Sequence, residues 1–380
     1  MKHKQTATMK DVAREAGVSI GTVDRVLHNR GRFSQATADR VRAAAATLSF
    51  QPNLVASNLK RSQWRTLVAI LPHPEQDGGF WQQVVDGINQ AVQQLAHHYV
   101  RVRFAHYDRF DPRSFYRVSE EVVGVLCPSK VDGAGAQAPG EEDQLGGIIL
   151  APTLQSASAD LARRCHPIPV VVLDGELPDV DLLCSISQES YESGLLAAKL
   201  LHFMAGPGRY ASVVVGRDDY HLLRRRSGFE EYFDGSVPME RIEAASEKEL
   251  REKIVDRFRR EPGIDGIFVA NAAAHTVIDA LRDGASADGA GQAVTSHGSA
   301  SRVSVVGYDL IPENIACLQD GSLAFVINQQ PENQGYQAVY ALYRHSILNE
   351  RVENQIRIPV DLVTRETLQF HEISPMSTQG

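Results

Sequence analysis

Met9-Lys10-Asp11-Val12-Ala13-Arg14-Glu15-Ala16-Gly17-Val18-Ser19-Ile20-Gly21-Thr22-Val23-Asp24-Arg25-Val26-Leu27 is the stretch that decides how this 380-residue chain begins. Thr8, just ahead of it, can cap a helix start, with Asp11 three residues on as its capping-box partner. Val12, Ala13 and Ala16 then fall on one side of a helix. Gly17 stands where that helix must stop and the chain turn, a place that favours a residue free to take positive φ. Ser19 can cap a second helix running to about Leu27. Val18, Val23, Val26 and Leu27 face back onto the first helix, which leaves Ile20, Gly21, Asp24 and Arg25 toward solvent. Ser34 can cap a third helix with Val41, Ala44, Ala45 and Leu48 as its apolar face. Such an all-α helix-turn-helix places the N-terminal half of its second helix against base edges in the major groove of duplex DNA. The competing reading, three helices of a larger domain, must treat the coincidence of caps, turn glycine and exposed arginine as accident.

Charge divides the chain at the same place. Residues 1–65 hold 12 Lys and Arg against 4 Asp and Glu, whereas the remainder holds 27 against 43. A front of net +8 on a body of net −16 suits local phosphate binding by a protein that is otherwise repelled by nucleic acid. The whole-chain charge of −8 conceals this.

Beyond the three helices, Ser49-Phe50-Gln51-Pro52-Asn53-Leu54-Val55-Ala56-Ser57-Asn58-Leu59-Lys60-Arg61 sets Pro52 before a short potential helix capped by Asn53. Residues 9–61 resemble the headpiece and hinge of lac-repressor-family transcription regulators. The matching positions are Asp11-Val12-Ala13, Ala16-Gly17-Val18-Ser19, Thr22-Val23, Arg25-Val26-Leu27, Pro52-Asn53, Ala56 and Leu59. The resemblance implies operator contacts at Ser19, Ile20, Gly21, Thr22, Asp24, Arg25, Asn29, Asn53, Ala56 and Leu59. It further implies a hinge helix that folds on DNA and a Leu59 side chain wedged into the minor groove, bending the duplex; as a plain linker residue Leu59 would simply be buried. Asp24 departs from the family, which more often has serine there. A carboxylate near phosphates needs a cytosine amino group or a neighbouring arginine, such as Arg25, to be tolerated.

After Arg65, fully apolar strands alternate with helical stretches. Strands are expected at Thr66–Leu71, Val100–Ala105, Gly147–Leu150, Val170–Leu173, Ser212–Val215, Gly266–Val269, Val303–Val306, Leu323–Ile327 and Ile356–Val360. Helices are expected near 80–97, 113–126, 188–205, 221–234, 247–260 and 274–283. This pattern means parallel sheets covered on both faces, and some 315 residues call for two such domains. In order and layout the body resembles the periplasmic-binding-protein fold: two doubly wound α/β lobes with three chain crossings, here near 175, 308 and 330. The expected partition is a headpiece at 1–52, hinge and linker at 53–65, an N-lobe at 66–175 plus 308–329, a C-lobe at 176–307 plus 330–370, and a tail at 371–380.

Ligands of open α/β sheets bind outside the carboxyl ends of the strands, where Asp174, Asn271, Asp309 and Gln329 stand, with Phe80 and Trp81 after the Asp77-Gly78-Gly79 loop. Arg225 lies three residues before Gly228. The set Phe80, Trp81, Asp174, Arg225, Asn271, Asp309 and Gln329 resembles sugar-binding members, in which aromatics stack on the sugar face and polar groups bond the hydroxyls. Each position has a plainer reading: Phe80 and Trp81 as core, Asp174 and Asp309 as turn caps, Arg224-Arg225-Arg226 as a solvated run. Asn271 is followed by Ala272 where relatives often carry an acid. The arginines leave room for a sugar phosphate beside a sugar or polyol.

No apolar secretory segment opens the chain and no stretch reaches membrane-spanning length, so a cytoplasmic site is expected. Cys127, Cys165, Cys184 and Cys317 are scattered, without metal-ligand spacing, and no cofactor or metal is expected. Segments 130–144 and 284–302 look like loop insertions. Residues 372–380 lack leucine heptads, so the expected assembly is a homodimer on a near-palindromic operator. A transporter's solute-binding protein fits the body but not the headpiece. An enzyme finds no nucleophile elbow or phosphate loop.

Overall fold

A computed structural model describes residues 8–27, 33–48, 64–126, 143–216, 220–261, 263–288 and 303–371. Residues 1–62 and 63–380 form separate compact units. In the first, α1 (Met9–Ala16), α2 (Ile20–Leu27) and α3 (Gln35–Thr47) close on Val12, Ala13, Ala16, Val23, Val26, Ala38, Val41 and Ala44. The Thr8–Asp11 capping box is formed in both directions. Gly17 takes φ 61°, and Val18 N–H returns to Ala13 O at 3.0 Å, ending α1 in the left-handed turn its glycine allows. Ser19 Oγ and Ser34 Oγ accept from the third-residue amides, Thr22 and Thr37, of the helices they open. Arg40 was not anticipated: its guanidinium reaches Ala16 O at 2.6 Å and Gly17 O at 3.2 Å, satisfying carbonyls that α1 leaves open.

The larger unit is two six-stranded sheets. Its elements are β1 (Trp64–Pro72), α4 (Phe80–Gln94), β2 (Val100–Tyr107), α5 (Pro112–Leu126), β3 (Asp143–Leu150), α6 (Gln155–Arg164), β4 (Val170–Leu173), β5 (Cys184–Ser187), α7 (Ser190–Ala205), β6 (Tyr210–Val215), α8 (Tyr220–Phe233), β7 (Met239–Ala244), α9 (Glu247–Arg260), β8 (Gly266–Val269), α10 (Ala274–Asp288), β9 (Ser304–Tyr308), α11 (Pro312–Asp320), β10 (Phe325–Asn328), α12 (Pro331–Ser346), β11 (Gln355–Arg357) and β12 (Asp361–Val363). The N-lobe sheet runs β11-β5-β4-β3-β1-β2, all parallel. The C-lobe sheet runs β12-β10-β9-β8-β6-β7, parallel except for β12 against β10. Within β1, Leu67, Ala69 and Leu71 join the core beneath α4 and α12, while Val68 and Ile70 join the core beneath α5 and α6. Burial on both faces is why these strands read as unbroken apolar runs.

Pairing corrects the expected lobe boundaries. β5 lies beside β4, so the N-lobe continues to Ser187 and the first crossing falls at Gln188–Glu189, not near 175. β9 and β10 belong to the C-lobe sheet, so 308–328 is C-lobe and no crossing occurs near 308. The second crossing is Gln329–Gln330, after which α12 and β11 return to the N-lobe. The run Ile356–Val360, expected as one strand, is instead the third crossing: β11 ends in one sheet, β12 starts in the other, and Pro359 between them has no N–H for a ladder. Asp143 and Gln144 are in β3, and 284–288 continue α10, so these parts of the two expected insertions are regular structure.

Each lobe is tightened by one helix pair. A Cβ on Gly87 of α4 would lie 1.9 Å from Glu332 O of α12, and one on Gly194 of α7 would lie 1.9 Å from Arg225 O of α8. Gly335 and Gly228 make the reciprocal approaches. Only the missing side chains let these helices touch backbone to backbone.

Candidate functional site

The seven residues expected at the strand ends line one cavity of about 570 Å³ between the lobes of the larger unit. Its aromatic wall begins with a turn, Gln76–Gly79, in which Asp77 (φ 54°), Gly78 (64°) and Gly79 (87°) take left-handed conformations and aim α4 at the cleft. Phe80 and Trp81 follow, edge to face at 5.0 Å between centroids. Both are almost fully buried in the N-lobe core and also border the cavity, so the core and ligand-facing readings hold together. Trp81 Nε1 donates to Asp77 Oδ2 at 2.7 Å, and Arg109, from the loop after β2, pairs with the same oxygen.

Asp174 and Asp309 are counterparts, one after β4 and one after β9. Each takes positive φ, 47° and 66°, and donates its N–H across to the neighbouring strand, Asp174 to Ile186 O at 2.9 Å and Asp309 to Ile327 O at 3.0 Å. Aspartate tolerates that region better than most residues, and the turn carries its carboxylate to the cavity. Asn271 Nδ2 donates to Val215 O at 2.9 Å, while its Oδ1 is buried at the cavity without a partner among the described residues. Fully buried Asn314 ties the loops behind this wall together, donating to Ala272 O, Tyr308 O and Asp309 O at 2.8–3.0 Å.

The arginine run resolves into three roles. Arg224 lies over the Tyr191 ring, Arg226 pairs with Glu243, and Arg225 turns inward, 4% exposed. Its guanidinium sits 4.0 Å above the Tyr308 ring and donates to Ala270 O and Gln329 Oε1, each at 2.8 Å. Gln329 Nε2 in turn donates to Asp309 Oδ1 at 2.9 Å. Burial pushes the Asp309 carboxyl up to about 6, against the opposing pull of Arg225 and the Gln329 amide. Arg109 is held by Asp77 and Arg225 by carbonyl oxygens, so neither guanidinium stands ready for an anionic ligand, and Glu75, Asp77, Asp174, Glu247 and Asp309 make the wall acidic.

Asp77, Arg109, Phe110, His221 and Glu247 also border the cavity and were not singled out from sequence. His221 Nδ1 is 2.6 Å from Ser190 Oγ. Glu247 Oε2 accepts from Thr276 Oγ1 at 2.8 Å and lies 3.2 Å from His275 Nε2. Burial pulls the His275 pKa down, but the bond and charge of Glu247 outweigh it and hold it above its ordinary value. These residues come from loops and helix starts with no spacing signature; only Asp77, beside two glycines, carried a local hint.

In the helical unit, Ile20 is 45% exposed, as expected for a residue facing solvent. Ser19 and Thr22 hydroxyls bond each other at 2.9 Å. Arg25 is folded onto its own helix, Nε donating to Gly21 O at 3.0 Å, rather than extended. Asn29, Asn53, Ala56 and Leu59 lie outside the described residues. Among the described residues no helix is long and apolar enough to cross a membrane, and no group of three His, Cys, Asp or Glu is placed to hold a metal ion.

Comparison with known proteins agrees with both units. The profile of the bacterial regulatory proteins of the lacI family matches residues 8–53, and that of the periplasmic binding protein domain matches residues 68–350. The ribose operon repressor of Bacillus subtilis (strain 168) is 27% identical over 373 residues, 95% of this chain and 98% of its own length. The HTH-type transcriptional repressor CytR of Escherichia coli (strain K12) is 40% identical over 87 residues, 23% of this chain and 25% of its own. Among solved structures, GanP, a glucose-galactose binding protein from Geobacillus stearothermophilus, shares the fold with a TM-score of 0.64 at 18% identity, over 80% of this chain and 99% of that one. The chain therefore belongs to the periplasmic binding protein domain family over its body and to the lacI family of bacterial regulatory proteins over its first helices, and it is a DNA-binding transcriptional regulator, not an enzyme.

Proposed function

We propose that this regulator is a repressor whose operator affinity is set by an uncharged sugar or polyol held between the lobes. The carrying observation is the 570 Å³ cavity, where aromatic rings from one lobe face Asp174, Asn271, Asp309, Gln329 and Arg225. Rings suit the apolar face of a sugar, and the amides and carboxylates suit its hydroxyls. Engagement of both guanidinia, with the acidic wall, disfavours a sugar phosphate. One repressor relative is by name a ribose operon repressor, and pentoses are the first effectors to try. Operator reading belongs to Ser19, Ile20, Gly21, Thr22, Asp24, Arg25 and Asn29, with Asn53, Ala56 and Leu59 as hinge contacts. The protein works as a homodimer in the cytoplasm, where its operator is, each headpiece taking a half-site.

The test is operator binding by gel shift with D-ribose, D-arabinose, D-allose, glycerol and D-ribose 5-phosphate in turn, beside calorimetric titration of each. A neutral compound that binds and changes operator affinity by about 5–150-fold is the expected result. Response to the phosphate alone overturns the neutral-ligand reading, and response to none of them overturns the sugar reading.

A further inference from the structure

The three segments that join the lobes are bonded to one another. Ile358 N–H, on the third crossing, donates to Ser187 O at the start of the first, at 3.0 Å. Gln330, on the second crossing and in a left-handed conformation (φ 52°), donates its Nε2 to Pro359 O at 3.0 Å and Asp361 Oδ1 at 3.1 Å. Between the first and second crossings the link is Gln188, 2% exposed. One terminal atom of its amide lies 3.0 Å from Gln329 Oε1 and, taken as the oxygen, accepts from Arg225 Nε at 3.1 Å. The oxygen belongs there because an NH₂ group would press on two guanidinium donors of Arg225; it then lies 3.0 Å from Gln329 Oε1, and these two acceptors are held side by side by the donors of the one guanidinium. Arg225 then holds Gln188 of the first crossing and Gln329 of the second in one charge-assisted cluster.

Gln188 is not among the residues lining the cavity, yet it accepts from one that is, Arg225, and lies against another, Gln329. We infer that Gln188 is a positioning residue of the effector site, clamped with Gln329 by Arg225 so that occupancy of the cavity is felt directly by two of the three crossing segments. A ligand hydroxyl that bonds Arg225, Asp309 or Gln329 redistributes the same donors and acceptors that set how the crossings lie. The inference rests on the proposed effector site and adds a residue and a route to it.

The test compares Gln188→Leu, which keeps the volume and removes the acceptor, with Gln188→Glu, which keeps an acceptor for Arg225. D-ribose is the probe, and calorimetry gives its Kd in each full-length protein. Gln188→Leu is expected to weaken binding at least tenfold, and Gln188→Glu to remain within about threefold of wild type. Hydrogen exchange without ligand supplies a second measure: amides of residues 187–189 and 328–330 should exchange faster in Gln188→Leu, while those of α9 and α10 stay unchanged. If wild type binds D-ribose and Gln188→Leu binds it equally well, the positioning role is overturned. Unchanged exchange at the crossings, or equally raised exchange throughout the C-lobe, overturns it independently of any ligand. If wild type binds no sugar, the effector reading itself falls, and that outcome is recognisable because the exchange result stands apart from it.

Discussion

At the residue scale, Asp309 carries the sharpest expectation. Its carboxyl titrates near 3.8 in the unfolded chain and at about 6 when buried behind Arg225 and Gln329. The folded state therefore holds the proton more tightly, and the contribution to stability is greatest below the unfolded value and is lost as pH rises from about 4 to about 6. Asp309→Asn should remove that decline. Urea midpoints from pH 4 to 7 should fall less steeply for the variant than for wild type, and parallel curves would mean the carboxyl is not shifted. Trp81→Phe preserves an aromatic ring at the cavity but withdraws one donor from Asp77, which keeps Arg109. A loss of about 1 kcal/mol in unfolding free energy is expected for that hydrogen bond, with weaker effector binding by calorimetry. An effect as large as a truncated core aromatic, about 3–5 kcal/mol, would indicate collapse of the N-lobe core instead.

At the element scale, the α7–α8 crossing ties packing to the site. Gly194→Ala forces a methyl against Arg225 O, so α8 must move and take its guanidinium away from Gln329 and Ala270. We expect a loss on the order of 1–3 kcal/mol together with weaker effector binding, read from denaturant midpoints and calorimetry on the same samples. Gly124→Ala in α5 is the control, since nothing lies within 4 Å of the added carbon. Relief of glycine's backbone entropy should make it neutral or stabilising by up to about 1 kcal/mol. Equal losses in the two variants would deny the close crossing its importance.

At the scale of the whole molecule, the charge split sets how the protein meets DNA. With net +8 in residues 1–65 and −16 beyond, operator affinity should drop steeply with salt, by about 10³–10⁵ between 50 and 200 mM if six to ten phosphates are contacted. A gel-shift series in salt measures the slope, and a flat series would remove phosphate contacts from the account. Leu59→Ala should weaken specific binding far more than binding to random duplex, since a wedge matters only where the step it opens can kink. Effector binding should raise the unfolding free energy by about 2.7 kcal/mol at a hundredfold excess over Kd, visible as a Tm that climbs with concentration.

Residue types and their spacing dictate the headpiece and the class of the body. Caps, a turn glycine and helical spacing are local, and each of Thr8, Gly17, Ser19 and Ser34 acts within three or four residues of itself. Unbroken apolar strands announce parallel sheets because burial on both faces leaves no alternation. Strand ends are legible as well, because apolar runs stop where the chain turns, and Phe80, Trp81, Asp174, Asn271, Asp309 and Gln329 stand beyond such stops. Tertiary structure alone decided which lobe each strand joins, because a strand's own residues do not state which sheet it pairs into: β11 and β12, with three residues between them, lie in different lobes. It alone divided Arg224, Arg225 and Arg226 into a surface stack, a buried clamp and a surface ion pair, since helical direction relative to the cleft is not written in a run of like residues. And it alone brought Gln188 to Gln329, 141 positions away, at the place where the lobes are joined.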